Sequence, residues 1–336
     1  MIRTLLAGAA IAALTTGAFA QEFTLRIQTH LSPESVSGKN AATFFDDIEV
    51  MSGGRIEIEE FYSSAVVKSV ETFDAAVNGI LDGDMTGGAY QTGKDPAFQF
   101  VGDIMGGYDT PWQLYAWLYN GGGFEVANAL YNEYNMQLIG WWIPGPESLS
   151  SSEPLTGPEA MVDWKFRSPP GMQTKIFANM GASPIVMDFT EIFTALESGI
   201  IDGADASNIS TNVSLGLYDI VKHATYPGFH SMPADHLAIN KDVWDSMPED
   251  LQRIVEVAMQ KLSFRTTLDY EVDIQRAANA MAEAGVTLHD WSAEDRGAFR
   301  DAAVKAWDEF ATTQLAKDLV AQHKEFLTQI GLFGQQ

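Results

Sequence analysis

Alternation of apolar and polar positions divides the chain into short strands and amphipathic helices. Phe23–Gln28 alternates with period two, as a half-buried strand does, and Arg55–Phe61 repeats the pattern with Ile56 and Ile58 set against Glu57 and Glu59. Between them, Ser37–Met51 has helical character and stops at Gly53-Gly54. A helix over about Ser69–Leu81 leads through Asp84-Met85-Thr86 to a small-residue loop, Gly87-Gly88-Ala89-Tyr90-Gln91. Strand–helix–strand alternation predicts a parallel or mixed sheet covered by helices. Ligands in such sheets sit beyond the carboxyl ends of strands, where Tyr90 falls.

Further along, Pro111–Asn120 reads as an aromatic helix, interrupted by Gly121-Gly122-Gly123 and followed by a helix over Phe124–Tyr134. The glycines do not follow a strand with phosphate-loop spacing, which argues against a nucleotide site. Gln137–Trp142 is strand-like; Trp141 and Trp142 then face opposite ways and only one can line a cleft. Ile143–Glu153 is rich in Pro, Gly and Ser and reads as a hinge crossing. Lys165-Phe166-Arg167 ends a strand before the turn Pro169-Pro170-Gly171. A short helix stops at Gly181, a strand covers Pro184–Met187, and a capped helix runs over Asp188–Ser198. Leu217–Ala224 reads as helix, Tyr226–His230 as a turn, and His236–Asn240 as a strand returning to the first lobe. Ser246-x-x-Glu249, with Pro248 between, predicts a capping box opening a long helix that stops near Gly285 and joins the lobes. A final amphipathic helix over about Asp295–Thr328 repeats apolar residues (Phe299, Trp307, Leu319, Phe326) at helical spacing, suited to core packing and long enough to offer a dimer face.

One segment occurs twice. Glu71-x-Phe73-x-Ala75 with Gly79-Ile80-Leu81-Asp82-Gly83 returns as Glu191-x-Phe193-x-Ala195 with Gly199-Ile200-Ile201-Asp202-Gly203, about half the positions being identical. Two copies this far apart imply two similar lobes with a cleft between them, whereas a solenoid needs several at short period. The expected division is residues 21–142 with 228–262 for lobe one and 143–227 with 263–336 for lobe two. The fold class is therefore α/β, with a mixed sheet in each lobe.

Composition narrows the function. The 336 residues carry a net charge of −25 and no cysteine. The first argues against a nucleic-acid-binding surface, which needs clustered Lys and Arg; the second excludes disulfides, thiol catalysis and Cys-zinc sites. Arg3, the apolar run Leu5–Ala18 and the small-x-small site Ala18-Phe19-Ala20 mark residues 1–20 as an export signal, so the chain is expected in the periplasm.

Few residues offer chemistry. Arg167, at a strand end in a chain poor in basic residues, can grip a carboxylate or sulfonate with paired hydrogen bonds; the alternative is a surface ion pair. Asp205 and Asn208 follow the second repeat. Asp205 could bind a cation or a ligand hydroxyl, and Glu147 in the crossing could reach the same cleft. Two such carboxylates with backbone carbonyls suit sodium or calcium better than zinc, while simple solvation of either acid stays open. The histidines show no zinc spacing and no Ser lies in a G-x-S-x-G elbow. Glu71 and Glu191, near helix N-termini, fit capping better than acid/base work.

Lys-Phe-Arg167-Ser-Pro-Pro-Gly, Asn179-Met180-Gly181-Ala182-Ser183-Pro184 and Glu191–Gly203, with Gly140-Trp141-Trp142 and Ile239–Trp244, resemble the solute-binding proteins of tripartite ATP-independent periplasmic (TRAP) transporters over nearly all of the mature chain. The resemblance implies two α/β lobes joined by crossing strands and a long helix, closing over a small organic anion, and a membrane permease as partner. It places the family's carboxylate-binding arginine at Arg167. Ala89–Phe98 and Tyr226–Phe229 look most like the branch that takes 2-oxo and 2-hydroxy acids such as pyruvate and lactate. The pocket implied is Arg167, Tyr90, Trp142, Asn208, Phe229, Glu147 and Asp205, with a bridging Na+ or Ca2+ held by Glu147, Asp205 and Ala206. Ala206 stands where an aromatic residue is common, and Ser148–Ser152 replace the branch's Gly-Gly-Trp-Phe run. The rival ligands are a sulfonate, a dicarboxylate or a zwitterionic or cationic solute. An exported hydrolase or lyase is the rival from another class, and no nucleophile or carboxylate pair with the spacing it needs is found.

Overall fold

Eleven strands among the described residues build two sheets. The computed structural model describes residues 21–333, so the export signal expected at 1–20 lies outside them. In chain order the strands are β1 (Phe23–Thr29), β2 (Ile56–Phe61), β3 (Gly83–Met85), β4 (Met136–Trp142), β5 (Ser148–Ser151), β6 (Lys165–Ser168), β7 (Ser183–Val186), β8 (Gly203–Ser207), β9 (His223–Thr225), β10 (Asp235–Asn240) and β11 (Thr287–His289). The first sheet runs β2-β1-β3-β10-β4 and the second β11-β9-β5-β8-β6-β7. Both contain parallel and antiparallel neighbours: β1 is parallel to β2 and β3 but β10 is antiparallel to β3, while β6 is parallel to β7 and β8 but β5 is antiparallel to β8. The α/β, two-sheet expectation holds.

The repeat is visible in the topology. β2-β1-β3 is matched by β7-β6-β8, and the two repeat copies feed β3 and β8. Register makes the match residue by residue. Ile27 lies beside Gly83 and Gln28 beside Asp84; Phe166 lies beside Gly203 and Arg167 beside Ala204. Arg167 therefore holds in the second sheet the place that Gln28 holds in the first.

The chain crosses between sheets after β4, after β9 and through the helix Glu249–Glu283. That helix has 35 residues, or about 52 Å of length. One end packs on the helix Val36–Met51 and β4, the other on the helix Ile209–Ser214 and β11. Its start differs from expectation. Asn240 caps a separate short helix, Lys241–Ser246, through the Asp242 and Val243 amides. Ser246 closes that helix by donating to Val243 O and is not free to form the capping box; Pro248 occupies the N-cap of the long helix.

Two other boundaries move. The helix at Leu217 stops at Ile220, because His223–Thr225 is taken up as β9. The final helix is two, Ala293–Phe310 and Gln314–Gln329, the second capped by the Thr313 side chain on the Ala316 amide. The first packs on the helix Met172–Asn179 of the second lobe. The second packs on Ala97–Phe100 of the first lobe, so this part of 263–336 departs from the lobe-two placement. Its His323 bonds Tyr108 Oη at 2.9 Å and Phe100 O at 2.7 Å and lies over Trp117. Of the apolar positions that could offer a dimer face, Phe299, Trp307 and Leu319 are buried within the chain itself and Phe326 is half-buried against the same core. Among the described residues no helix is long and apolar enough to cross a membrane.

Candidate ligand-binding site

A cavity between the sheets is organised by Arg167, which is 1% exposed. Its Nε donates to Met187 O at 3.2 Å, just past β7, and Nη1 donates to Asp205 O at 2.6 Å in β8. These carbonyls of flanking strands fix the guanidinium. Nη2 is buried without a partner. An unpaired buried guanidinium nitrogen is costly, and a ligand carboxylate is the group that matches its charge and planar fork. The Phe189 ring lies 5.7 Å from the guanidinium carbon. Burial lifts the Tyr90 phenol to about 12, against the pull of the neighbouring arginine.

Both lobes wall the cavity, with His30, Tyr90, Asp103 and Asp235 from the first and Arg167, Phe189, Ala206 and Ser207 from the second. The cavity volume is about 70 Å³, room for a ligand of a few heavy atoms. His30 is pushed down to about 4 by burial and by Arg167, and so is neutral. Asp103 accepts from Ser231 Oγ at 2.6 Å and from Gln173 of the second lobe at 3.3 Å; burial raises it to about 6. Bonds also close the mouth: Asp188 of the second lobe accepts from the Ser69 amide of the first at 2.8 Å, and Met172 N donates to Gln99 Oε1 at 2.9 Å.

Behind Arg167, three buried groups converge. Donor atoms of Glu147, Asp205 and His230 lie within 4.8 Å of one another. His230 Nε2 sits 3.0 Å from Asp205 Oδ1 and 3.9 Å from Glu147 Oε2, while Asp205 Oδ2 has no partner. Burial, followed by Asp205 and Asp103, holds the Glu147 carboxyl well above the usual carboxylate range. Two carboxylates, one oxygen of them orphaned and buried, make a donor set that suits a hard cation, with His230 orienting Asp205 from outside.

Of the residues named from sequence, Arg167, Tyr90, Glu147 and Ala206 line the cavity, and Asp205 stands behind it. Trp142 does not: the strand alternation turns it into the first-lobe core with Leu237 and Met259, and Trp141 turns into the opposite core. Asn208 caps the helix Ile209–Ser214 through the Thr211 amide and donates to Pro144 O at 2.8 Å, fastening the crossing segment without lining the cavity. Phe229 packs on Trp291 and Phe299 and backs His230. His30, Asp103, Asp235 and His230 were missed. His230 ends the Tyr226–His230 turn, and that place in a crossing is its available signal.

A model of the family described as bacterial extracellular solute-binding protein, family 7 (DctP), matches residues 27–314. A monocarboxylate 2-oxoacid-binding periplasmic protein of Nostoc sp. is 26% identical over 302 residues, covering 86% of this chain and 80% of that protein. The C4-dicarboxylate-binding periplasmic protein of Rhodobacter capsulatus is also 26% identical, over 322 residues and 92% of each. Among solved structures, a TRAP periplasmic solute-binding protein of Rhodobacter sphaeroides in an apo, open state is 32% identical, covers 93% of this chain and 100% of that chain, and has a TM-score of 0.72. One from Pseudoalteromonas atlantica with bound sodium and pyruvate is 23% identical, covers 92% and 95%, and has a TM-score of 0.83.

Proposed function

Because the chain belongs to the family 7 bacterial extracellular solute-binding proteins, and so is a binding protein and not an enzyme, we propose that it captures a small 2-oxo or 2-hydroxy monocarboxylate in the periplasm and delivers it to the permease of a TRAP transporter. The lobes close about the crossings after residues 142 and 227. The observation that carries this reading is the unpartnered, buried Nη2 of Arg167 beside a small cavity. The ligand carboxylate supplies the missing acceptor, and closure removes the pair from water. A Na+ or Ca2+ held by Glu147 and Asp205, with the Ala206 carbonyl at hand, would add positive charge for the same carboxylate. The sodium and pyruvate of the P. atlantica relative and the 2-oxoacid of the Nostoc relative support this choice. Titration calorimetry with pyruvate and lactate tests it. Arg167→Ala should weaken binding by about 2–5 kcal/mol, the usual cost of truncating a buried charge pair. Near-wild-type affinity in that variant would overturn the assignment.

A further inference from the structure

Asp235 stands opposite the arginine in this cavity and has no established part in it. It opens β10, where it pairs with Trp142 and makes a lone bridge to Gly87. Its residue is 8% exposed and lines the cavity. No described residue donates a hydrogen bond to its carboxylate; the nearest cationic candidate, His30 Nε2, is 3.9 Å away and neutral. Gly87 makes its position possible, since a Cβ there would come within 2.9 Å of Asp235 Oδ1. Burial, then Asp84 and Asp103, hold its carboxyl well above the usual range.

A carboxylate in such a cavity without a donor is costly, as a buried guanidinium nitrogen without an acceptor is. The two share one small cavity, and both are completed by a ligand that brings an acceptor to one and a donor to the other. We propose that Asp235 recognises a hydroxyl of the ligand, so that the site selects a 2-hydroxy acid over the matching 2-oxo acid. This rests on Arg167 as the carboxylate anchor. A 2-oxo acid presents only acceptor oxygens, which the ionised Asp235 cannot pair with. A 2-hydroxy acid donates its O–H to Asp235, which stabilises the ionised form there. Sites built to bond a hydroxyl reject analogues that lack it far more strongly than apolar pockets reject a methylene.

Calorimetric titration of the full mature chain with lactate and pyruvate, at one pH near neutrality, tests the inference. Wild type should bind lactate about tenfold or more tightly than pyruvate. In Asp235→Asn that ratio should fall to about threefold or less, as the charged acceptor is lost while shape and a donor are kept. Equal affinities, or a preference for pyruvate, in wild type would overturn this inference alone. So would an unchanged ratio in Asp235→Asn, or a fall in pyruvate affinity there, which would make Asp235 a protonated donor to a keto oxygen. Binding of neither acid to wild type would overturn the 2-oxo/2-hydroxy reading as well. The wild-type ratio decides even if the variant fails to fold.

Discussion

Gln28 and Arg167 occupy the same place in two copies of one design. Each sits in the central strand of its parallel triplet, beside the strand that the repeat feeds. Gln28 Nε2 donates to Val67 O at 3.0 Å, and Arg167 Nε donates to Met187 O at 3.2 Å, carbonyls that lie four residues before Glu71 and Glu191 respectively. The glutamine is then satisfied within its lobe: Nε2 also reaches Thr72 Oγ1, and Oε1 accepts from the Val66 and Val67 amides. The arginine is longer and carries one more donor than its lobe can satisfy. The aspartates after each repeat divide the same way. Asp84 is closed off by His236 at 2.9 Å and Thr86 at 2.7 Å. Asp205 has His230 on one oxygen and nothing on the other. It also lies two residues past its repeat glycine where Asp84 lies one past, a single-residue offset that presents the opposite face of the strand. At these two matched positions the first lobe completes its polar groups internally, and the second leaves them for a ligand.

The largest expected effect tests that division. Asp84→Ala removes one partner of a fully buried pair and should cost about 3–5 kcal/mol of stability. Asp205→Ala should cost at most about half as much, because one oxygen is already unpaired and its removal relieves Glu147; its damage should fall on ligand affinity. Denaturant unfolding of both variants without ligand gives the comparison. Equal losses would mean that Asp205 is as structural as Asp84.

Proton linkage sharpens it further. Glu147 and Asp235 are held well above their ordinary range and Asp103 at about 6, chiefly by burial. A carboxyl whose folded value is raised gives stability that is fully present below its unfolded value and is lost as pH rises through the folded one. These carboxyls should therefore lower the melting temperature of the ligand-free protein between pH 5 and pH 8, against the opposite pull of His30 and His323, which burial holds at about 4. A cation needs Glu147 deprotonated, so the rise in melting temperature on adding calcium chloride, or its loss on chelation, should be larger at pH 8. A cation effect that is absent, or larger at pH 5, would remove the ion from the site.

The fold was legible because it is local and repeated. Alternation in Phe23–Gln28 and Arg55–Phe61, and the copy of Glu71–Gly83 at Glu191–Gly203, are read from neighbouring residues. Arg167 stood out because basic residues are scarce. Trp142 was misplaced because alternation says that two adjacent tryptophans diverge but not which one meets a cleft; here both meet cores. Asn208 lies next to cavity residues yet spends its side chain on a cap. His30, Asp103 and the pair His230 and Asp235 come from three separate segments. Only the pairing of β10 with β3 and β4 and the closure of the lobes bring them together, and no spacing along the chain records that.

The smallest effects come from the place where the two repeats touch. Asp188 caps its own turn through the Thr190 amide at 3.0 Å and accepts from the Ser69 amide, the start of the other copy, at 2.8 Å. Burial would raise its carboxyl, but these bonds outweigh it and hold it below the ordinary range. Beside it, Lys68 Nζ meets Glu191 at 3.1 Å with both side chains largely exposed. One carboxylate serving two helix starts exists only when the cleft is shut, so Asp188→Ala should remove about 1 kcal/mol of capping and speed ligand release roughly fivefold to tenfold. Lys68→Ala removes only a solvated ion pair, worth about 0.5 kcal/mol and weaker in salt, and should change release less than about threefold. Stopped-flow displacement of bound ligand ranks the two. A larger effect for Lys68→Ala would transfer the latch from the shared cap to the surface pair, and the two repeats would then meet by charge alone.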